Sequence, residues 1–180
     1  MDKFIEDDFI EDIFENIDKI HNCATDSEST VAVKKALIDV TEKYKEKCNL
    51  NLTISCKIYG EKYKSYKDRE WLYDIIIYSQ KNDVFDEVYL VGESEWKTDI
   101  KEIIYDFEKL LLAKSKVRLM VYQVSSNDKE KYRNDLINII EKSSSCENGD
   151  RYIFAFYVNS EDDNEVGWDF TKYTKGEDNI

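Results

Sequence analysis

The sequence predicts an α/β protein in which a mixed sheet is flanked by helices and preceded by an extra acidic helix. Apolar residues recur at helical spacing near the start, then alternate with polar ones as in a strand, and later helix-like and strand-like segments alternate. With 180 residues, 42% of them hydrophobic, the chain can bury one core. We expect one domain over 1–160 and an acidic, partly ordered tail over 161–180.

The first two predicted elements are helices. Apolar residues between 4 and 20 lie three or four apart, with acids between them, which predicts an amphipathic acidic helix. Such a helix either covers the core or contacts a partner. Helical spacing over 31–47 predicts the second helix, which Ser29 or Thr30 would cap.

The period then changes to that of strands. Residues 52–58 alternate between apolar and polar, as in a strand with one buried face, and 71–78 are nearly all apolar, as in a strand covered on both faces. The further predicted elements are a strand over 88–95, a helix over 98–114, a strand over 117–124, a helix over 128–142 and a strand over 152–158. After the first helix, the predicted order is α-β-β-β-α-β-α-β.

Charge and composition limit the classes of function. The formal net charge of -13 argues against broad, nonspecific nucleic-acid binding, because such binding gains affinity from lysine and arginine. A polyanion would bind locally, or the acidity would serve a basic protein partner. Since no leader and no run long enough to cross a bilayer is evident, we expect a cytoplasmic protein without membrane contact. The four cysteines and the lone His21 match no zinc pattern.

Acidic residues at two neighbouring predicted strands suggest a metal site. Asp74 lies in one strand, and Glu93, Glu95 and Lys97 follow at every second position of the next, so these three should share a face. Buried carboxylates are costly unless they are compensated, and Mg²⁺ or Mn²⁺ suits hard oxygen ligands better than zinc. The alternative is an exposed strand end with surface ion pairs.

The strand and helix order, together with Asp74 and the segment Glu93-Ser94-Glu95-Trp96-Lys97, resembles the PD-(D/E)XK, or restriction-endonuclease-like, nuclease superfamily. The resemblance covers topology over about 31–158 and motifs over about 69–122. It implies a restriction-endonuclease-like fold, phosphodiester hydrolysis, Mg²⁺ or Mn²⁺ held by Asp74, Glu93 and Glu95, and a catalytic lysine.

A narrower resemblance concerns uncharacterised bacterial proteins that carry E-S-E-W followed by D-F-E-K-L-L. This chain has the second motif at 106–111, and the resemblance implies that the catalytic lysine has moved to Lys109. The alternative is Lys97. Strand alternation favours Lys97, whereas Lys109 falls almost opposite the apolar stripe of its helix, so both lysines stay candidates.

A basic segment between the first two core strands is the predicted nucleic-acid surface. Tyrosines are interleaved with cations there, so the segment could clamp phosphates and stack on unpaired bases. Its proposed binding residues are Lys62, Tyr63, Lys64, Tyr66, Lys67 and Arg69. The alternative is a solvated hairpin tip.

Two functions follow as expectations. The first is a metal-dependent nuclease acting on DNA or RNA, in phage defence or mobile-element biology as the resemblance suggests, and a homodimer by analogy with relatives of this fold. The second is an acidic protein-binding module, an immunity protein or anti-defence inhibitor, on an inactive nuclease-like fold. A third use of the fold would be nucleotide sensing without hydrolysis.

Overall fold

A computed structural model describes residues 6–21, 23–49, 51–58, 66–68, 71–159 and 166–177. These residues form four helices and seven strands. The helices are α1 (Glu6–Asp18), α2 (Asp26–Lys47), α3 (Ile100–Leu111) and α4 (Lys129–Lys142). The strands are β1 (Leu52–Cys56), β2 (Tyr66–Asp68), β3 (Ile75–Lys81), β4 (Val84–Glu95), β5 (Val117–Ser125), β6 (Arg151–Asn159) and β7 (Gly167–Thr174). The chain divides into two compact units, Met1–Val91 and Gly92–Ile180, so that β4 begins in the first and ends in the second.

In the first unit, α1 packs on α2. The apolar residues of α1 are buried, and two of its acids pair with lysines of α2: Asp12 with Lys43 at 2.6 Å and Asp8 with Lys47 at 3.1 Å. The interpretation of α1 as a helix that covers the core is therefore confirmed. Helix α2 begins earlier than predicted, at Asp26, because the side chain of Thr25 accepts a bond from the backbone N–H of Glu28 and caps the helix there.

The strands of the first unit pair in both senses. β1 is antiparallel to β3 and parallel to β2. All five residues of β1 are buried, its polar residues included, because strands lie on both sides of it and α2 packs against it. β3 and β4 are joined through Asn82 and Asp83, which both have positive φ, as a tight hairpin turn requires.

The strands of the second unit also pair in both senses, since β6 is parallel to β5 and antiparallel to β7. Helices α3 and α4 pack against β5 and against each other. Strand β7 was not predicted; its residues were assigned to the acidic tail, where Trp168, Phe170 and Tyr173 are the large apolar residues. The predicted boundary at residue 160 stays a prediction.

A mixed α/β architecture with helices flanking the strands is thus confirmed, and the narrower restriction-endonuclease-like fold stays a prediction. None of the helices in the described part of the chain is long and apolar enough to cross a bilayer.

Lys175 joins the end of β7 to the end of α4. Its ammonium donates hydrogen bonds to the carbonyl oxygens of Ile140, Ser143 and Cys146 at 2.9–3.0 Å. Because the last carbonyls of a helix have no partner within the helix, we expect Lys175→Met to lower the free energy of unfolding by about 1.5–3 kcal/mol. Urea unfolding measures the change. The exposed Lys142→Met serves as the control, and equal losses in both variants would contradict the prediction.

Candidate functional site

Glu93 is a buried acid near the end of β4, which ends two residues later at Glu95. Only 3% of its side chain is exposed, and the preceding residues Val91 and Gly92 are buried as well. Its Oε2 atom accepts a hydrogen bond from Lys109 Nζ at 3.3 Å. A carboxylate at this depth is tolerated only with such a compensating charge.

Lys109 is shared by two carboxylates. Its Nζ atom lies 3.3 Å from Glu93 Oε2 and 2.7 Å from Asp106 Oδ1, and 39% of its side chain is exposed. Burial alone would lower the pKa of Lys109, but the hydrogen bonds and charges of Asp106 and Glu93 outweigh burial and raise this pKa above its ordinary value. Lys109 is therefore an ammonium at neutral pH and a hydrogen-bond donor rather than a general base.

Helix α3 brings Lys109 to Glu93. The helix starts after Asp99, whose side chain accepts from the backbone N–H of Lys101 at 3.0 Å. Phe107 is fully buried and holds the helix by ring contacts with Tyr152 and Phe154, at 6.0 and 5.9 Å between centroids. Regular helical projection turns the Cβ atom of Lys109 away from the strands. Its long, flexible side chain nevertheless reaches back to Glu93.

Lys97 lies beyond the end of β4. The strand ends at Glu95, so the alternation of faces no longer applies two residues later. The Oε1 atom of Glu95 accepts from the backbone N–H of Lys97 at 2.8 Å, and Lys97 Nζ bonds Glu102 at 3.2 Å in an ion pair with both side chains about half exposed or more. Of the two candidate lysines, Lys109 is thus the one whose ammonium contacts a buried strand acid.

Asp74 belongs to the first unit, whereas Glu93, Glu95, Lys97 and Lys109 belong to the second. It was predicted inside a strand, but β3 begins one residue later, at Ile75, and Asp74 is half-buried. Its contribution to a metal site stays a prediction from the sequence.

The acids of this site are paired with a side-chain cation. Glu93 and Asp106 supply two carboxylates within reach of the Lys109 ammonium. Among the described residues, no group of three or more histidine, cysteine, aspartate or glutamate side chains is arranged to hold a metal ion.

Asp106 is the site residue that the sequence analysis did not assign. In the sequence it is the first residue of the D-F-E-K-L-L motif, to which no role was assigned. Its position three residues before Lys109 on a predicted helix was the available signal, because residues three apart are neighbours on a helix surface.

Most of the predicted nucleic-acid surface lies outside the described residues, namely Lys62, Tyr63, Lys64 and Arg69. Tyr66 and Lys67 lie in β2, and Lys67 Nζ is 5.7 Å from the centroid of the Tyr78 ring. Of the predicted binding residues, Lys67 therefore lies beside an aromatic ring of the first unit.

The relation of this chain to other proteins is predicted from its residues and its order of helices and strands. The resemblance to PD-(D/E)XK nucleases stays a prediction from the order of elements and the spacing of the acids. No family model matches the chain, and comparisons with curated proteins and with solved structures give no significant match.

Proposed function

We propose that this protein is a metal-dependent nuclease that hydrolyses phosphodiester bonds of nucleic acid, with Glu93 and Lys109 at the centre of its site. The observation that supports the proposal is the buried Glu93 carboxylate joined to the ammonium of Lys109, which Asp106 shares. An acid beside a lysine suits phosphodiester hydrolysis, since a cation can stabilise the negative charge that builds on the phosphate oxygens during attack by water.

In this proposal Lys109 acts as a cation. Its ammonium can donate hydrogen bonds to the attacking water or to a nonbridging phosphate oxygen. Glu93 and Glu95, both in the second unit, would hold Mg²⁺ or Mn²⁺. A bound dication would acidify water and neutralise charge on the phosphate. Asp106 positions Lys109 through the bond at 2.7 Å.

Cleavage assays test the proposal. End-labelled single- and double-stranded DNA and RNA are incubated with Mg²⁺, Mn²⁺ or EDTA. We expect metal-dependent cleavage that falls about 10²–10³-fold in Glu93→Gln and in Lys109→Gln, the size of effect typical for loss of one transition-state contact. Lys97→Gln is the matched control, and its activity should stay near that of the unaltered protein. Equal activity of the Lys109 and Lys97 variants would contradict the proposed roles.

One observation favours the second candidate, an acidic protein-binding module. The Lys109 ammonium already partly neutralises Glu93 and Asp106 without a metal, and the chain carries a net charge of -13. This function predicts no cleavage with any substrate or metal, together with stoichiometric binding of a basic protein that weakens as salt is raised. Cleavage that Glu93→Gln abolishes would exclude an inactive fold.

A further inference from the structure

Three rings of the first unit form a partly exposed surface, here called the aromatic floor: Trp71, Tyr78 and Phe85. The ring centroids lie 5.8 Å apart for Trp71 and Tyr78, 5.6 Å for Trp71 and Phe85, and 4.8 Å for Tyr78 and Phe85. The ring planes are inclined by only 35°, 28° and 22° in the same order. Trp71 and Tyr78 thus each stack on Phe85 rather than lie in one plane with it, and the stack can accept a further flat ring where Trp71 and Phe85 are exposed.

The floor is partly exposed to solvent, unlike an aromatic cluster in a protein core. Trp71 is 46% exposed and Phe85 is 40% exposed, while Tyr78 is buried beside them. Their neighbours in sequence, Leu72 and Val84, are 82% and 66% exposed. Because large apolar side chains grouped at a surface commonly mark binding sites, the floor is a candidate for a flat apolar ligand.

Charge beside the floor indicates the kind of ligand. Lys67 Nζ lies 5.7 Å from the Tyr78 centroid. The floor therefore combines partly exposed rings with one described cation. A ligand with flat faces and negative charge on one side satisfies both features.

We propose that the aromatic floor binds the unpaired bases of single-stranded nucleic acid, with Lys67 on the phosphate side. The choice of ligand rests on the proposed nuclease function, and it narrows the substrate to strands whose bases are free to stack. Bases within a duplex are already stacked on their neighbours and cannot reach the floor. Aromatic side chains with adjacent cations are the usual means of binding single strands with little dependence on sequence.

The binding should be weak and carried mainly by stacking. With one described cation beside the floor, we expect a dissociation constant of about 10⁻⁴–10⁻⁶ M, the range of nonspecific nucleic-acid binding. Lys67→Gln should reduce the slope of log affinity against log salt by about 0.7, the value for one phosphate of a single strand.

Fluorescence anisotropy of a labelled oligothymidine in EDTA tests the floor without cleavage. We expect Trp71→Ala and Phe85→Ala each to weaken binding about 5- to 150-fold, the loss expected for one stacked base. Trp71→Phe should retain most of the affinity because it keeps a ring. Leu112→Ala, at a 73% exposed apolar residue of the second unit, is the matched control and should bind like the unaltered protein.

An abasic strand of equal length and charge provides the decisive comparison, and it should bind about as poorly as oligothymidine binds Trp71→Ala. Equal binding of the abasic and base-containing strands would overturn the proposal, as would undetectable binding of both.

Sedimentation of the same samples tests whether a second copy of the chain occupies the floor instead. A dimer that Trp71→Ala converts to monomers would assign the floor to a second copy and overturn the proposal. Base-dependent binding without cleavage would support the floor and reject the nuclease, whereas cleavage that Trp71→Ala leaves unchanged in rate and apparent affinity would reject the floor alone.

Discussion

Lys109→Met is expected to lower the free energy of unfolding by about 2–3 kcal/mol, because it removes the ammonium beside the buried carboxylate of Glu93. Breaking a fully buried pair typically costs about 3–5 kcal/mol, and the smaller figure allows for solvent screening, since 39% of the Lys109 side chain is exposed. Urea unfolding at pH 7 measures the loss. Lys97→Met, which breaks only an exposed pair with Glu102, should change stability by about 0–1 kcal/mol.

The pH dependence of this loss follows from the raised pKa of Lys109. A lysine whose pKa is higher in the folded than in the unfolded state contributes its full stabilisation below the unfolded value of about 10.4 and loses it as pH rises through the folded value. The difference between the two proteins should therefore be constant from pH 7 to about 9 and shrink only at higher pH. A difference that disappears already at pH 8 would contradict this account.

Phe107→Ala is expected to have the largest effect on stability, a loss of about 3–5 kcal/mol. Phe107 is fully buried and contacts the rings of Tyr152 and Phe154, so its removal leaves a cavity under α3. Because the same helix carries Asp106 and Lys109, the proposed nuclease activity should fall as well.

The control for Phe107 lies on the same helix. Tyr105 is 68% exposed, and Tyr105→Ala should lower the free energy of unfolding by no more than about 1 kcal/mol. This figure includes the lost contact between the Tyr105 ring and the Lys109 ammonium, which lies 5.7 Å from it. Thermal and urea unfolding of both variants give the comparison. Similar losses for Phe107→Ala and Tyr105→Ala would show that the helix is not anchored by its buried stripe.

The hydrophobic period predicted the helices and the main strands, because burial of one face is the strongest signal in a sequence. It could not predict β7, since strand-forming residues such as Trp168 and Tyr173 stand within acidic surroundings that resemble a tail. It also misplaced the start of β3, because Trp71 and Leu72 are apolar yet exposed, which apolar content alone does not reveal.

The candidate site, like the fold, was predicted only in part. Glu93 was predicted from alternation within β4, and the structure buries it. The partner lysine was left open because two short-range effects decide it: β4 ends before Lys97, and the side chain of Lys109 is long enough to reach back to the strand. Neither the end of a strand nor the path of a flexible side chain follows from periodicity.

The most direct test of the Glu93–Lys109 pair is a comparison of two double-mutant cycles in urea unfolding, one combining Glu93→Gln with Lys109→Met and the other combining Glu93→Gln with Lys97→Met. We predict a coupling free energy of about 1–3 kcal/mol for Glu93 with Lys109, and one within about 0.5 kcal/mol of zero for Glu93 with Lys97. A strong coupling to Lys97 together with none to Lys109 would contradict the account.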